Sequence, residues 1–290
     1  MRTDQQVYDL FLNYAQADSA VRLVTLEGSR ANPAISKDQY QDFDISYFVS
    51  DLKSYQTSDQ WLEVFGSRLI IQKPEAMELF PAELDGWFSY LMIFTDGIKV
   101  DLTLIPIYDI EQYFSGSDGL VKILLDKDQR MSKPIIPSDQ QYWIQPPSAR
   151  EFDDCCNEFW MLATYVVKGL ARQEILFAND HLYEIMRPNL LRMMAWRIGA
   201  QRGYHFSLGK NYKFIDKYLP AEDWKKLLST YTQSEYKQLW QSLNTCLGLF
   251  RKYSDAVARH FNYQYPDYDV AITSYINNFF ESYIKNKLFD

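Results

Sequence analysis

The hydrophobic period changes once along this chain, and the change falls at a proline-rich segment. Before it, apolar residues alternate with polar ones or cluster in short runs that end at glycine, aspartate or proline. From Ser148 onward they recur every three to four positions almost to the end. A period of two suits a strand with one buried face, and a period near 3.6 suits a helix with one buried stripe. The dividing segment, KPIIPSDQQYWIQPPSA (133–149), holds four prolines. Proline donates no backbone hydrogen bond, so this segment reads as neither helix nor central strand. It is taken as a linker (133–148) between a domain over 1–132 and a domain over 149–290. A solvated loop within one domain is the alternative. The expected class is α+β: a mixed β-sheet with helices, followed by an all-α helical bundle.

Individual elements follow from the same periods. RLVTLE (22–27), FDISYFV (43–49) and RLIIQK (68–73) read as strands. WFSYLMIFTDGIKVDLTLIP (87–106) reads as a hairpin turning at Asp96-Gly97. Near the start, Val7, Leu10, Phe11 and Tyr14 recur at helical spacing, with Thr3 and Gln6 as a capping box. In the second part, Ser148 and Glu151 form a capping box. Phe152, Cys156, Phe159, Ala163, Val166 and Leu170 then make one apolar stripe. Further helices are expected at 174–202, 211–218, 221–230, 234–261 and 267–287, with Pro188 breaking or kinking the first.

Composition narrows the function classes. With 38 acidic and 30 basic residues the net charge is −8, which disfavours a nucleic-acid binder and suits a cationic small molecule. Three cysteines, two of them adjacent, give no disulfide framework. Three histidines and no Cys-x-x-Cys argue against zinc. The N-terminus lacks the apolar core of a signal peptide, and no run of about 18 apolar residues would span a membrane. A cytoplasmic protein with no membrane partner is expected.

The chemistry centres on LEGSRANPAISKDQYQDFDI (26–45). On a strand, Asp42 and Asp44 share a face, while Phe43, Ile45 and Tyr47 point the other way. With their alpha-carbons roughly 7 Å apart, the two carboxylates repel each other unless a cation sits with them. Asp101, in KVDLTLIP, is again a lone carboxylate in an apolar strand. Three such aspartates on neighbouring strands suit metal-assisted phosphoryl or nucleotidyl transfer. Upstream, Gly28 lets the backbone approach a ligand closely, and Ser29 with a helix N-terminus can hold phosphate oxygens. Arg30 is either a further phosphate contact or a surface residue.

Gly-Ser, twelve intervening residues, then Asp-x-Asp resembles the signature of the nucleotidyltransferase superfamily. VTLEGSRAN, QDFDISYFVSD, KVDLTLIP, REFDDCCNEFW and GKNYKF resemble more closely the aminoglycoside 6-adenylyltransferases, over nearly the whole chain. That resemblance implies a nucleotidyltransferase-type catalytic domain and a helical substrate-binding domain. It implies transfer of AMP from ATP, the co-substrate, to a streptomycin hydroxyl, with pyrophosphate released and antibiotic resistance as the result. Asp42 and Asp44 would ligate Mg2+, and Asp101 would complete the metal site or act as general base. Related enzymes hold the triphosphate with a helical-domain lysine, for which Lys168 and Lys210 are candidates.

Streptomycin carries guanidinium groups, so its site should be acidic. Asp154 and Glu158, at i and i+4, share a helix face and could pair with them; Glu151 reads as a cap. Trp160 and Tyr165 are read as core, with stacking on adenine or a guanidinium as the alternative. Two rival functions remain at this point: the same chemistry on a macromolecule (a tRNA end or a protein hydroxyl), and a binding protein without catalysis. A monomer is expected.

Overall fold

Short apolar strands build the first half, as their alternation requires. The computed structural model describes residues 1–131 and 134–286. The chain divides into two compact units, Met1–Gln141 and Tyr142–Asp290.

In the first unit the strands are β1 (Val21–Glu27), β2 (Phe43–Val49), β3 (Arg68–Gln72), β4 (Phe88–Phe94), β5 (Lys99–Pro106) and β6 (Val121–Asp126). They form a mixed sheet of order β3-β4-β5-β2-β1-β6, in which only the β2–β5 pair is parallel. The expected strands and the hairpin at Asp96-Gly97 are present. β6 is not among the expected strands: VKILLD carries four apolar residues, but Leu124 and Leu125 break the alternation, and in the sheet only Val121 is fully buried.

One sheet face packs on α1 (Asp4–Ala17). There Val7 and Phe11 meet Val24, Leu26, Phe43, Ile45, Tyr47, Val100 and Leu102 in one buried cluster. The Tyr47 hydroxyl donates to the Phe11 carbonyl at 2.6 Å, which satisfies its polar end within that core. The Thr3–Gln6 capping box is formed. On the opposite face the apolar part is smaller: Leu23, Phe48, Ile105, Tyr113 and Val121. The other helices of this unit are short: α2, a single turn at Gly28–Ala31, α3 (Leu52–Gln56) and α4 (Ile110–Gly116).

The second unit is helical: α5 (Ala149–Arg172), α6 (Ile175–Asp180), α7 (Arg187–Arg202), α8 (Ala221–Ser229), α9 (Tyr236–Phe261) and α10 (Tyr268–Tyr283). The Ser148–Glu151 capping box is formed, and all six residues of the α5 stripe are buried. The Phe159 and Phe250 rings stack at 3.7 Å, locking α5 to α9. The stretch expected as one helix over 174–202 is interrupted by a π-helical turn, His181–Met186, with Pro188 in the first turn of α7. A proline cannot donate to the preceding turn, and the widened turn absorbs the missing bond. The helix expected over 211–218 does not form. Asn211 and Tyr212 adopt left-handed backbone angles, leaving two short 3-10 turns at Lys210–Tyr212 and Ile215–Lys217. Lys133 of the expected linker and residue 287 of the last expected helix lie outside the described residues.

The proline-rich segment is held at two points. The Ser138 amide donates to the Gly119 carbonyl, and the Ile144 amide to that of Phe206. All three cysteines are free and buried. Among the described residues, no helix is long and apolar enough to cross a membrane.

Candidate active site

The β-sheet register aligns polar residues in rows. One row reads Leu91, Asp101, Asp44, Glu27 across β4, β5, β2 and β1. The next reads Ser89, Thr103, Ser46, Thr25. Side chains two apart on a strand share a face, so both rows look to the same side, away from α1. Asp42, just before β2, and Lys99, opening β5, extend the acidic row at its open end. The Lys99 ammonium donates to Asp42 Oδ2 at 2.7 Å and to Asp101 Oδ2 at 2.8 Å. Thus Asp42, Asp44 and Asp101 do converge, because the β2–β5 register sets Asp44 beside Asp101 and Lys99 joins Asp42 to Asp101.

Their electrostatics are uneven. Burial, with the charges of Asp101 and Asp42 adding to it, pushes Asp44 up to about 6. Among the described residues Asp44 makes no ion pair and no side-chain hydrogen bond. Asp101 Oδ1 is buried without a hydrogen-bond partner among the described residues. Burial works to lower the Lys99 ammonium, but the hydrogen bonds and charges of Asp101 and Asp42 outweigh it and raise the group.

Gly28 has φ +65°, a conformation glycine adopts freely. A Cβ there would stand 2.5 Å from Asp44 Oδ2, so this glycine makes room for the central carboxylate. Its amide already donates to the Leu120 carbonyl at 3.0 Å. Ser29 is half-buried, and its hydroxyl makes no hydrogen bond among the described residues. The expected helix N-terminus is only one turn long, which leaves little dipole for an anion. Arg30 differs from both readings of it. Its side chain is 2% exposed; it donates to the carbonyls of Gln41 and Asp42 and to Asp4, and stacks on Phe43. It clasps the loop that carries Asp42.

Glu27 is the residue that sequence reasoning missed. Its carboxylate accepts from Thr25 and Tyr113, and it is the cross-strand partner of Asp44. Burial pushes it up to about 7, against the opposing hydrogen bonds of Thr25, Tyr113 and Ser46. The signal was available, because Glu27 ends an apolar strand immediately before Gly28.

The helical unit has its own cavity of about 490 Å³, lined by Glu151, Asp154, Cys155, Glu158, Asn189, Arg192 and Trp196. α5 brings Asp154 and Glu158 to its wall, and Glu151 serves as both cap and lining. Asp154 pairs with Arg150 at 2.9 Å, in the open, where such a pair contributes little. Glu158 is exposed with no ion pair among the described residues. Arg192 donates to Asn189 Oδ1 at 2.7 Å and is the one cation of the lining. A second cavity of about 220 Å³ shares Arg192 and Trp196 with the first and is lined also by Gly209 and Tyr212. Lys168 lies further along α5, its ammonium 5.2 Å from the Tyr165 ring. Lys210 is exposed at the start of the strained GKNYKF loop. Neither lysine lines either cavity. Trp160 is core as expected, whereas Tyr165 is 38% exposed and is not.

Three oxygen-bearing carboxylates suit a hard divalent ion. As the side chains stand, no group of three or more His, Cys, Asp or Glu among the described residues could hold a metal. Lys99 lies between two of the three aspartates, and the bare Asp101 Oδ1 and the uncompensated Asp44 are the atoms a cation would satisfy. The donor set fits.

Comparison with known proteins adds a second line. The family model described as streptomycin adenylyltransferase matches residues 1–279. An aminoglycoside 6-adenylyltransferase of Bacillus subtilis (strain 168) is 61% identical over 275 residues, covering 95% of this chain and 97% of that protein. One of Campylobacter jejuni is 56% identical over 276 residues, covering 95% of each. A crystal structure of an aminoglycoside 6-adenyltransferase from Bacillus subtilis is 56% identical, covers 97% of this chain and 100% of that one, and has a TM-score of 0.49.

Proposed function

The chain belongs to the streptomycin adenylyltransferase family, and from that membership we propose that it transfers AMP from ATP to a hydroxyl of streptomycin, at position 6, with magnesium required and pyrophosphate released. It is an aminoglycoside nucleotidyltransferase, and modification of the drug would confer resistance. The reading rests most on one observation: the in-register row of Asp101 and Asp44, with Asp42 joined to Asp101 through Lys99 and Gly28 clearing space for Asp44.

Asp42, Asp44 and Asp101 would hold the magnesium ion, which when bound supplies positive charge for the triphosphate and the leaving pyrophosphate. The chain's own contributions are positional. The Ser29 hydroxyl, with no hydrogen-bond partner among the described residues, offers a donor to a phosphate oxygen beside the Gly28 turn. Arg30 fixes the loop that presents Asp42. Lys168 and Lys210 are the lysines proposed as phosphate contacts. Asp101 completes the cation site or takes the proton of the attacking hydroxyl through its unpartnered oxygen. The acidic cavity on α5 takes the antibiotic, with Asp154 and Glu158 pairing its guanidinium groups and Trp196 offering a flat apolar face. We also propose a cytoplasmic monomer, with three free, buried cysteines that suit a reducing compartment.

The test is incubation with ATP, magnesium and a panel of aminoglycosides, with pyrophosphate as the readout. Release dependent on streptomycin is expected. Asp42→Asn and Asp44→Asn should each lower turnover by at least about a thousandfold with an unchanged circular dichroism spectrum. Release that no aminoglycoside stimulates would overturn the substrate. Full activity in either variant would remove the metal assignment.

A further inference from the structure

One cation stands among the proposed metal ligands, and AMP transfer as described gives it no task. Lys99 opens β5 two residues before Asp101, on the same sheet face. Its ammonium bridges Asp42 and Asp101 at 2.7 and 2.8 Å. That single charge offsets two of three carboxylates and leaves Asp44 and the Asp101 Oδ1 uncovered. The arrangement is a partial substitute for a divalent ion, not a closed structural salt bridge.

We propose that Lys99 is a tethered placeholder: it holds Asp42 and Asp101 together while no metal is bound, and must release at least one of them for a divalent cation to enter. This rests on the cation-binding role proposed above for the three aspartates. Lysine suits the task because its ammonium is a point charge on a flexible stem; a forked arginine would grip a carboxylate through two bonds. The released ammonium needs a new anionic partner, and a nucleotide triphosphate supplies one. Metal and nucleotide should therefore favour each other's binding, and the coupling is reciprocal. Lys99 is a positioning residue in this scheme.

The test is calorimetric titration of the intact protein with Mg2+, or with Mn2+ followed by electron paramagnetic resonance. Each titration is run with and without a non-hydrolysable ATP analogue, on wild type and on Lys99→Met. The variant should bind the ion alone about tenfold more tightly, show a smaller gain in metal affinity from the nucleotide, and melt at a lower temperature when metal-free. Lys99→Arg keeps the charge and guards against a misfolded Met variant; it should bind the ion more weakly than wild type. Wild type that binds the ion, with variants that bind it no differently, would overturn the placeholder alone. Wild type that binds no divalent ion, with or without nucleotide, would overturn both the placeholder and the metal assignment beneath it.

Discussion

Glu27 stores a pH dependence in the sheet. Buried beside Asp44 and held by Thr25 and Tyr113, it keeps its proton up to about 7, against about 4.5 for the free side chain. A carboxyl whose folded value is raised binds more protons in the native state than in the unfolded chain. Its stabilising contribution is therefore complete below the unfolded value and is lost as pH rises through about 7. The effect is at most roughly 3 kcal/mol, because each tenfold change in proton affinity is worth about 1.4 kcal/mol. Glu27→Gln keeps the shape and an acceptor but cannot ionise. In chelator-treated protein, denaturant melts near pH 8 should show the variant more stable than wild type by up to about 3 kcal/mol, and melts near pH 5 should show little difference. Parallel pH profiles would mean that Glu27 is ionised in the fold.

At the scale of the element, α5 separates stability from recognition along one helix. Its buried stripe and the Phe159–Phe250 stack bind it to the helical core, while Asp154 and Glu158 face the cavity. Ser148 satisfies the first turn through the capping box. Ser148→Ala should cost about 1 kcal/mol of stability, lower the melting temperature by a few degrees, and leave the Michaelis constants unchanged. Glu158→Gln should do the reverse: an unchanged melt, and a Michaelis constant for streptomycin raised about tenfold with that for ATP nearly unmoved. A streptomycin constant that stays put would return Glu158 to a merely solvated face.

Across the whole molecule the charge is −8, and its proposed substrates carry opposite signs. A cationic antibiotic is drawn toward an acidic surface, and salt screens that attraction over a Debye length of about 10 Å at 0.1 M. Raising salt from about 20 to about 200 mM should lower kcat/KM for streptomycin about threefold or more, without a matching loss for ATP. Equal responses would place the attraction in local contacts alone.

The sequence by itself determined most of the element types, because hydrophobic period is a local property; β6 and the 211–218 segment are exceptions. It also determined which way the carboxylates point: alternation puts Asp44 and Asp101 on polar faces of apolar strands, with Asp42 two residues before Asp44. Tertiary structure alone decided what depends on register and on partners distant in the chain. Glu27 became part of the row only because β1 aligns it with Asp44. Arg30 left the candidate phosphate contacts because the loop carbonyls of Gln41 and Asp42 fold back onto it. Lys99 became a counter-ion because the parallel pairing of β2 and β5 brings Asp42 to its ammonium. The 211–218 segment failed as a helix because two left-handed residues, Asn211 and Tyr212, end any continuous turn. Spacing along a strand sets which way a side chain points; only the register sets what it meets.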